Sequence, residues 1–259
     1  RADRPRCGFA ASEHAEELSL APRFFLGQLV ALHVRPRLVR LPCFDGVRGL
    51  TQSGVATAVK HAGDVIAAEE AIGIDWEDPL QDIVLSNDWL VNLANWVYIY
   101  GHWPVVIGVL AWLFAKRPDT YYTLRDAMFI SGAIGLVVFI AFPTAPPRLV
   151  DLGLIDTVTD RSSSYRALQP PGLINKYAAM PSLHFGWNLL VGIMLIRTTR
   201  RRIVWAFAVG LPAAMALAVV MTANHYVLDV FAGAIVALIG LALVPGVNRA
   251  AAKLRQYPT

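Results

Sequence analysis

Charge is scarce in this chain. Of its 259 residues only 16% are Asp, Glu, Lys or Arg, against 56% hydrophobic, and mean hydropathy is +0.48. A water-soluble domain has no way to hide that much apolar surface. Cysteine is almost missing: Cys7 and Cys43 are the only two, with neither the spacing nor the histidine company of a zinc site. An oxidising compartment would allow them to pair. No basic start, apolar core and small-residue cleavage site is visible near Arg1, so insertion is expected to rely on later apolar segments. The net charge of +4 is not gathered onto a basic face with interleaved aromatics, so no nucleic-acid partner is expected. Internal repeats and low-complexity tracts are absent.

What the chain has instead is long runs free of Asp, Glu, Lys and Arg: Asn92 to Ala115, Ala127 to Pro147, Met180 to Ile196, Ile203 to Leu228 and Val230 to Asn248. Each is long enough to cross, or nearly cross, a bilayer as a helix. The expected fold is all-α, a polytopic transmembrane bundle of five spans. The last two read as a tight helical hairpin turning at Asn224 and His225. Two short connections and the segment after the last span hold ten basic residues: Lys116, Arg117 and Arg125; Arg197, Arg200, Arg201 and Arg202; and Arg249, Lys253 and Arg255. These ends are expected on the cytoplasmic side. The opposite ends, with the 36-residue loop Thr144 to Ala179, then face outward across the plasma (inner) membrane.

Residues 1–91 differ, with thirteen acidic and nine basic side chains. Leu50 to Ile74 places Val55, Val59, Ile66 and Ile72 near helical spacing, but Lys60, His61, Asp64, Glu69 and Glu70 interrupt it. A helix lying at the interface is expected, with a sixth crossing as the alternative. The organisation is therefore an N-terminal interfacial region 1–91, a transmembrane catalytic bundle 92–248 and a cytoplasmic tail 249–259.

Between Ile203 and Asn248 the only charged side chain is Asp229 and the only histidine is His225. An acid within a membrane helix costs about 2.5–3.5 kcal/mol at the helix centre, less near an end, so a compensating contact is expected. Four residues apart, the two share one helix face, and the carboxylate can accept a hydrogen bond from the imidazole. That fixes a tautomer and presents the other ring nitrogen as nucleophile or base. A structural pair that merely pins the hairpin is the plainer reading. A second cluster, Met180-Pro181-Ser182-Leu183-His184, opens the third span on the same side. Pro181 is read as the first helical residue, and the free N–H groups after it, with Ser182, as an anion site. The plainer reading of this cluster is a capping serine and a satisfied histidine. A third, Phe142-Pro143-Thr144-Ala145-Pro146-Pro147-Arg148, stops the second span and delivers a guanidinium to the same face, unless that arginine only snorkels to headgroups. Tyr98 and His102 lie toward one face of the first span, among aromatics that more often anchor a bilayer.

Together the three blocks resemble the type 2 phosphatidic acid phosphatase superfamily. Its pattern is a Lys/Arg motif, then Pro-Ser-Gly-His, then Ser-Arg, five residues, His, three residues and Asp. The matches are Arg148, then Pro181-Ser182 with His184, then His225 with Asp229. Ala141 stands where the first-motif lysine would fall, Leu183 replaces the glycine, and Ala218-Val219 replace the Ser-Arg. Those losses and the wording of the first two blocks look most like the inositol phosphorylceramide synthase branch, which moves a phospho-headgroup between lipids. A phosphodiester carries less negative charge than a phosphomonoester, so a reduced cation clamp suits it. Lys176, Arg166 or Arg161 could fold back to restore charge.

The resemblance implies an enzyme that needs no metal or other cofactor. His225 would attack phosphorus, His184 would protonate the leaving oxygen and later act as base, and Asp229 would steady the charged imidazole. Arg148, Ser182 and Lys176 would bind the phosphate of a lipid. The expected partners are the bilayer, a lipid phosphate or phospholipid, and an alcohol acceptor. Simple lipid-phosphate hydrolysis is the alternative within this class. A metal-dependent hydrolase using His184, His225 and Asp229, and a non-catalytic transport or structural protein, are the alternatives outside it.

Overall fold

The computed structural model describes residues 44–158 and 176–254, apart from the side chains of 44–53 and 251–254. Within them lie eight α-helices: α1 (Phe44–Ile72), α2 (Glu77–Leu85), α3 (Asp88–Tyr100), α4 (Trp103–Lys116), α5 (Pro118–Ala141), α6 (Leu183–Thr198), α7 (Arg202–Met221) and α8 (Val227–Leu254). A short 3-10 turn covers Pro147–Leu149. Cys7, Cys43, Arg161 and Arg166 lie outside the described residues.

The all-helical bundle expected from sequence is present, but its spans divide differently. Helices α5, α7 and α8 are long and apolar enough to cross a membrane, and α3 with α4 makes a fourth if the pair, bent by 42°, crosses as one. The expected first span is thus broken at Gly101 and His102. Pro104 accounts for the break, since its ring would collide with the carbonyl of Tyr100 in a continuous helix. The third expected span, α6, has only 16 residues.

Helix α6 occupies the middle of the bundle and touches α4, α5, α7 and α8. Its Leu190, Val191 and Met194 pack with Leu113, Leu124 and Ala208, and Trp187 Nε1 donates to Ser131 Oγ on α5 at 3.3 Å. Around this core the bundle is inside-out. Val137, Ile140, Ile203, Val209, Phe231 and Ile235 are exposed, an arrangement that suits lipid and would aggregate in water. At Gly233 a side chain is impossible without movement, because a Cβ would stand 2.2 Å from the carbonyl oxygen of Ser182. Bare backbone there lets the starts of α6 and α8 touch.

Helix α1 forms where the N-terminal helix is expected, but a different face is buried. Val55, Val59 and Ile72 are exposed; Ala58, Ala62 and Val65 pack with Ala145 and Tyr226. Small side chains allow that close seat. His61 stacks on Phe142 with centroids 4.0 Å apart, and Ala145 N donates to Ala58 O at 3.0 Å.

The α7–α8 hairpin turns through a Schellman-type cap. Ala223 N donates to Val220 O at 2.9 Å, and Asn224 N and His225 N donate to Val219 O at 3.1 and 3.0 Å. Ala223 sits at φ 55°, the left-handed position glycine usually takes. The antiparallel order puts the end of α5, the start of α6, the end of α7 and the start of α8 at one pole. Lys116, Arg197, Arg200, Arg201, Arg202 and Arg249 flank helix ends at the other.

Candidate active site

The pole formed by the α7–α8 turn and the start of α6 gathers the buried polar groups of the bundle. His225 stands in the turn itself and Asp229 in the first turn of α8, 0% exposed. His225 Nδ1 is 2.7 Å from Ala179 O and 3.3 Å from Asp229 Oδ2. The Ala179 carbonyl can only accept, so Nδ1 carries a proton, and in the neutral ring the lone pair is then on Nε2. The tautomer expected from Asp229 alone is therefore held chiefly by a backbone carbonyl at shorter range. Asp229 Oδ2 also accepts from Tyr226 N at 2.9 Å, capping its own helix.

The second histidine is delivered by α6. Ser182 is the N-cap, its hydroxyl accepting from Phe185 N at 3.5 Å, so Pro181 precedes the cap and is not the first helical residue. Ser182 thus takes the capping role that is the plainer reading of its block. Its own N–H donates to Asp229 O at 2.9 Å, tying two motifs together through backbone. The His184 ring lies 5.8 Å from that of His225, centroid to centroid, inclined by 57°. Tyr98 stacks on it at 4.8 Å and His102 meets it at 4.4 Å. Asn188 Nδ2, one turn along α6, donates to His184 O at 2.8 Å and to His102 Nδ1 at 3.2 Å. His102 therefore holds its proton on Nε2. Tyr98 and His102 line the site and do not anchor the bilayer; the α3–α4 break brings His102 inward to 3% exposure.

Arg148 reaches the same pole with its hydrogen bonds engaged. Its backbone N–H donates to Ala223 O at 3.1 Å, Nη1 donates to Asn224 Oδ1, and Nε lies 3.2 Å from Asp156 Oδ2. Asp156 is itself fixed by neighbours. Gln81 of α2 bonds both the N–H and the carbonyl of Ile155, at 2.7 and 2.9 Å, and Asn95 of α3 bonds the carbonyl and hydroxyl of Thr157, at 2.8 and 3.0 Å. Lys176 is exposed in the turn before Tyr177 and Ala178, where Thr144 N donates to Tyr177 O at 2.9 Å. No three His, Cys, Asp or Glu side chains among the described residues are placed to hold a metal ion.

Sequence reasoning missed two further acids. Glu77 Oε1 accepts from Val227 N at 2.8 Å, and Glu69 Oε1 accepts from Leu228 N at 2.6 Å. The signal available was Glu69 falling four residues beyond Val65 and three beyond Ile66, on the face that α1 buries.

Two imidazoles, one backed by a buried carboxylate, at one pole of an apolar helical bundle, define a histidine site built into a membrane protein. A family model described as "PAP2 superfamily" matches residues 63–243, a stretch that contains all three motif blocks, and the chain belongs to that superfamily. Among solved structures, a crystal structure of LpxE from Aquifex aeolicus is similar at 16% identity and a TM-score of 0.49, covering 64% of this chain and 92% of that one. No curated protein sequence matches this chain.

Proposed function

We propose that the chain catalyses phosphoryl transfer on a membrane lipid through a phosphohistidine on His225, favouring transfer of a phospho-headgroup to an alcohol over release to water. The observation that carries this reading is the locked Nδ1–H of His225, which leaves Nε2 as a lone-pair nucleophile with the His184 ring 5.8 Å away. In the first half, Nε2 bonds to phosphorus, the bond to the leaving oxygen breaks, and protonated His184 gives that oxygen its proton. In the second half, neutral His184 takes the proton of an alcohol or water, whose oxygen bonds to phosphorus as the N–P bond breaks. Asp229 steadies the positive charge on the His225 ring, and the guanidinium of Arg148 neutralises charge on the phosphoryl oxygens. Lys176 is proposed to join it at the mouth of the site.

The preference for headgroup transfer rests on charge. The family's first-motif lysine and third-motif arginine are absent, and Asp156 offsets part of the charge of Arg148. That clamp suits a singly charged phosphodiester better than a phosphomonoester dianion. The basic ends of the bundle oppose the site, which supports an outward-facing active site in the plasma membrane. Incubating purified protein with labelled phospholipids and lipid phosphates, with and without a lipid alcohol, tests this. A new labelled phosphodiester is expected, and acid-labile label on the wild type but not on His225→Asn. Free phosphate as the sole product would assign a phosphatase, and no turnover at all would remove the enzyme reading.

A further inference from the structure

The first turn of α8 is held by three acids. Tyr226, Val227 and Leu228 offer consecutive N–H groups that have no partner within the helix. They are taken by Asp229, Glu77 and Glu69 at 2.9, 2.8 and 2.6 Å. One acid belongs to α8; the others come from the start of α2 and the end of α1. Glu69 is 1% exposed and Glu77 8%. Carboxylates favour a helix start, but buried together they repel. The Glu69 and Glu77 carboxyl groups are neighbours, each acting on the other's ionisation. Two ionised carboxylates repel and have no donor to offer each other, so a proton on one of them would relieve the clamp.

We infer that Glu69 and Glu77 are positioning residues for the His225–Asp229 pair. They form a carboxyl clamp, supplied by the segment ahead of the bundle, that fixes the first turn of α8 and through it the direction of the His225 ring. The chain enters that turn directly from His225, so a shift of Val227 and Leu228 would move both Asp229 and the imidazole. The clamp thereby gives α1 and α2 a role in the reaction.

Such a proton makes the clamp sensitive to pH. Burial, together with the neighbouring Glu77 and Asp229, pushes Glu69 up to about 8, and burial raises Glu77 also. The groups facing the pair are Asp229 with its partner His225, and Tyr226, whose hydroxyl donates to Ala145 O at 3.1 Å. Elsewhere on α1, Lys60 and Asp64 pair with each other on the exposed side. A raised carboxyl supports the folded clamp fully below the ordinary glutamate range. That support fades as pH rises and is gone above about 8, where extra negative charge faces Asp229 across the helix start.

This inference rests on the proposed reaction, and its test separates the two. Full-length protein in lipid nanodiscs would be assayed for kcat and KM from pH 6 to 9.5. The 15N signals of the His225 ring, assigned with His225→Asn, would be recorded in parallel. Glu69→Ala and Glu77→Ala are expected to lower kcat about 10- to 100-fold, with KM within threefold, and to displace the His225 signals. Glu69→Gln can still accept from Leu228 N and donate to Glu77. It should recover most of kcat at pH 6.5 and lose the alkaline decline near pH 8. Alanine variants that keep wild-type kcat, pH profile and His225 signals would overturn the clamp, as would a Gln variant no better than Ala at every pH. If the wild type turns over no phosphate, the reaction fails as a reading. Displaced His225 signals in Glu69→Ala would then still support the clamp, and unmoved ones would overturn it.

Discussion

Replacing Asp229 by Asn separates the two supports of the His225 tautomer. In a Ser-His-Asp triad, loss of the aspartate's charge costs about 10⁴ in rate because the imidazole adopts the wrong tautomer. Here Nδ1 keeps a second acceptor, Ala179 O at 2.7 Å, nearer than Asp229 Oδ2 at 3.3 Å. The tautomer should therefore survive the substitution. What is lost is one charge-assisted hydrogen bond, worth about 1.5–3 kcal/mol, or roughly 10- to 150-fold in kcat. The measurement is single-turnover transfer of labelled headgroup in nanodiscs, with His225→Asn as the floor and detergent melting as a check on folding. Folded Asp229→Asn protein at the His225→Asn floor would refute the argument, because it would mean that the Ala179 carbonyl does not hold the ring.

Three further outcomes follow from the packing. Gly233→Ala places a Cβ 2.2 Å from Ser182 O. It should destabilise the protein by about 1–3 kcal/mol, seen as a lower melting temperature, and cut activity by moving the start of α6 from α8. Ala223→Gly relieves a left-handed residue and should stabilise by about 0.5–1 kcal/mol; an unchanged melting temperature would argue that the turn carries no strain. Asp156→Asn removes the carboxylate from Arg148 and should lower KM for a phosphomonoester about 3- to 10-fold, with a smaller change for a phosphodiester.

The three motif blocks could be read from sequence because each pairs a rare polar residue with a long apolar background. Asp229, alone among 46 residues without another charge, is the clearest case. Their convergence follows from antiparallel spans: helices that alternate in direction return every second end to the same pole. Contacts made through backbone were not legible in the same way. The Ala179 carbonyl that fixes His225 has no side-chain signature, and Ser182 meets Asp229 through its N–H rather than its hydroxyl. Glu69 and Glu77 were hidden for the opposite reason. They occur among ordinary surface charges, and only the burial of α1 and α2 against the bundle distinguishes them from Glu70 or Asp78. Pro104 carries a signal for the α3–α4 break that a reading by charge-free apolar runs passes over.

The shortness of α6 bears on the depth at which the proposed chemistry would take place. Sixteen residues rise about 24 Å, whereas the hydrocarbon layer is about 30 Å thick. If the far end of α6 lies at the opposite interface, His184 falls several ångströms below the headgroup plane. A phosphate tethered to acyl chains would have to sink to meet it, leaving its hydration behind, while a free alcohol from the aqueous phase would have further to travel than one already dissolved among the lipids. On the proposed transfer reaction, the acceptor would then be chosen partly by where it resides, through the length of a single helix.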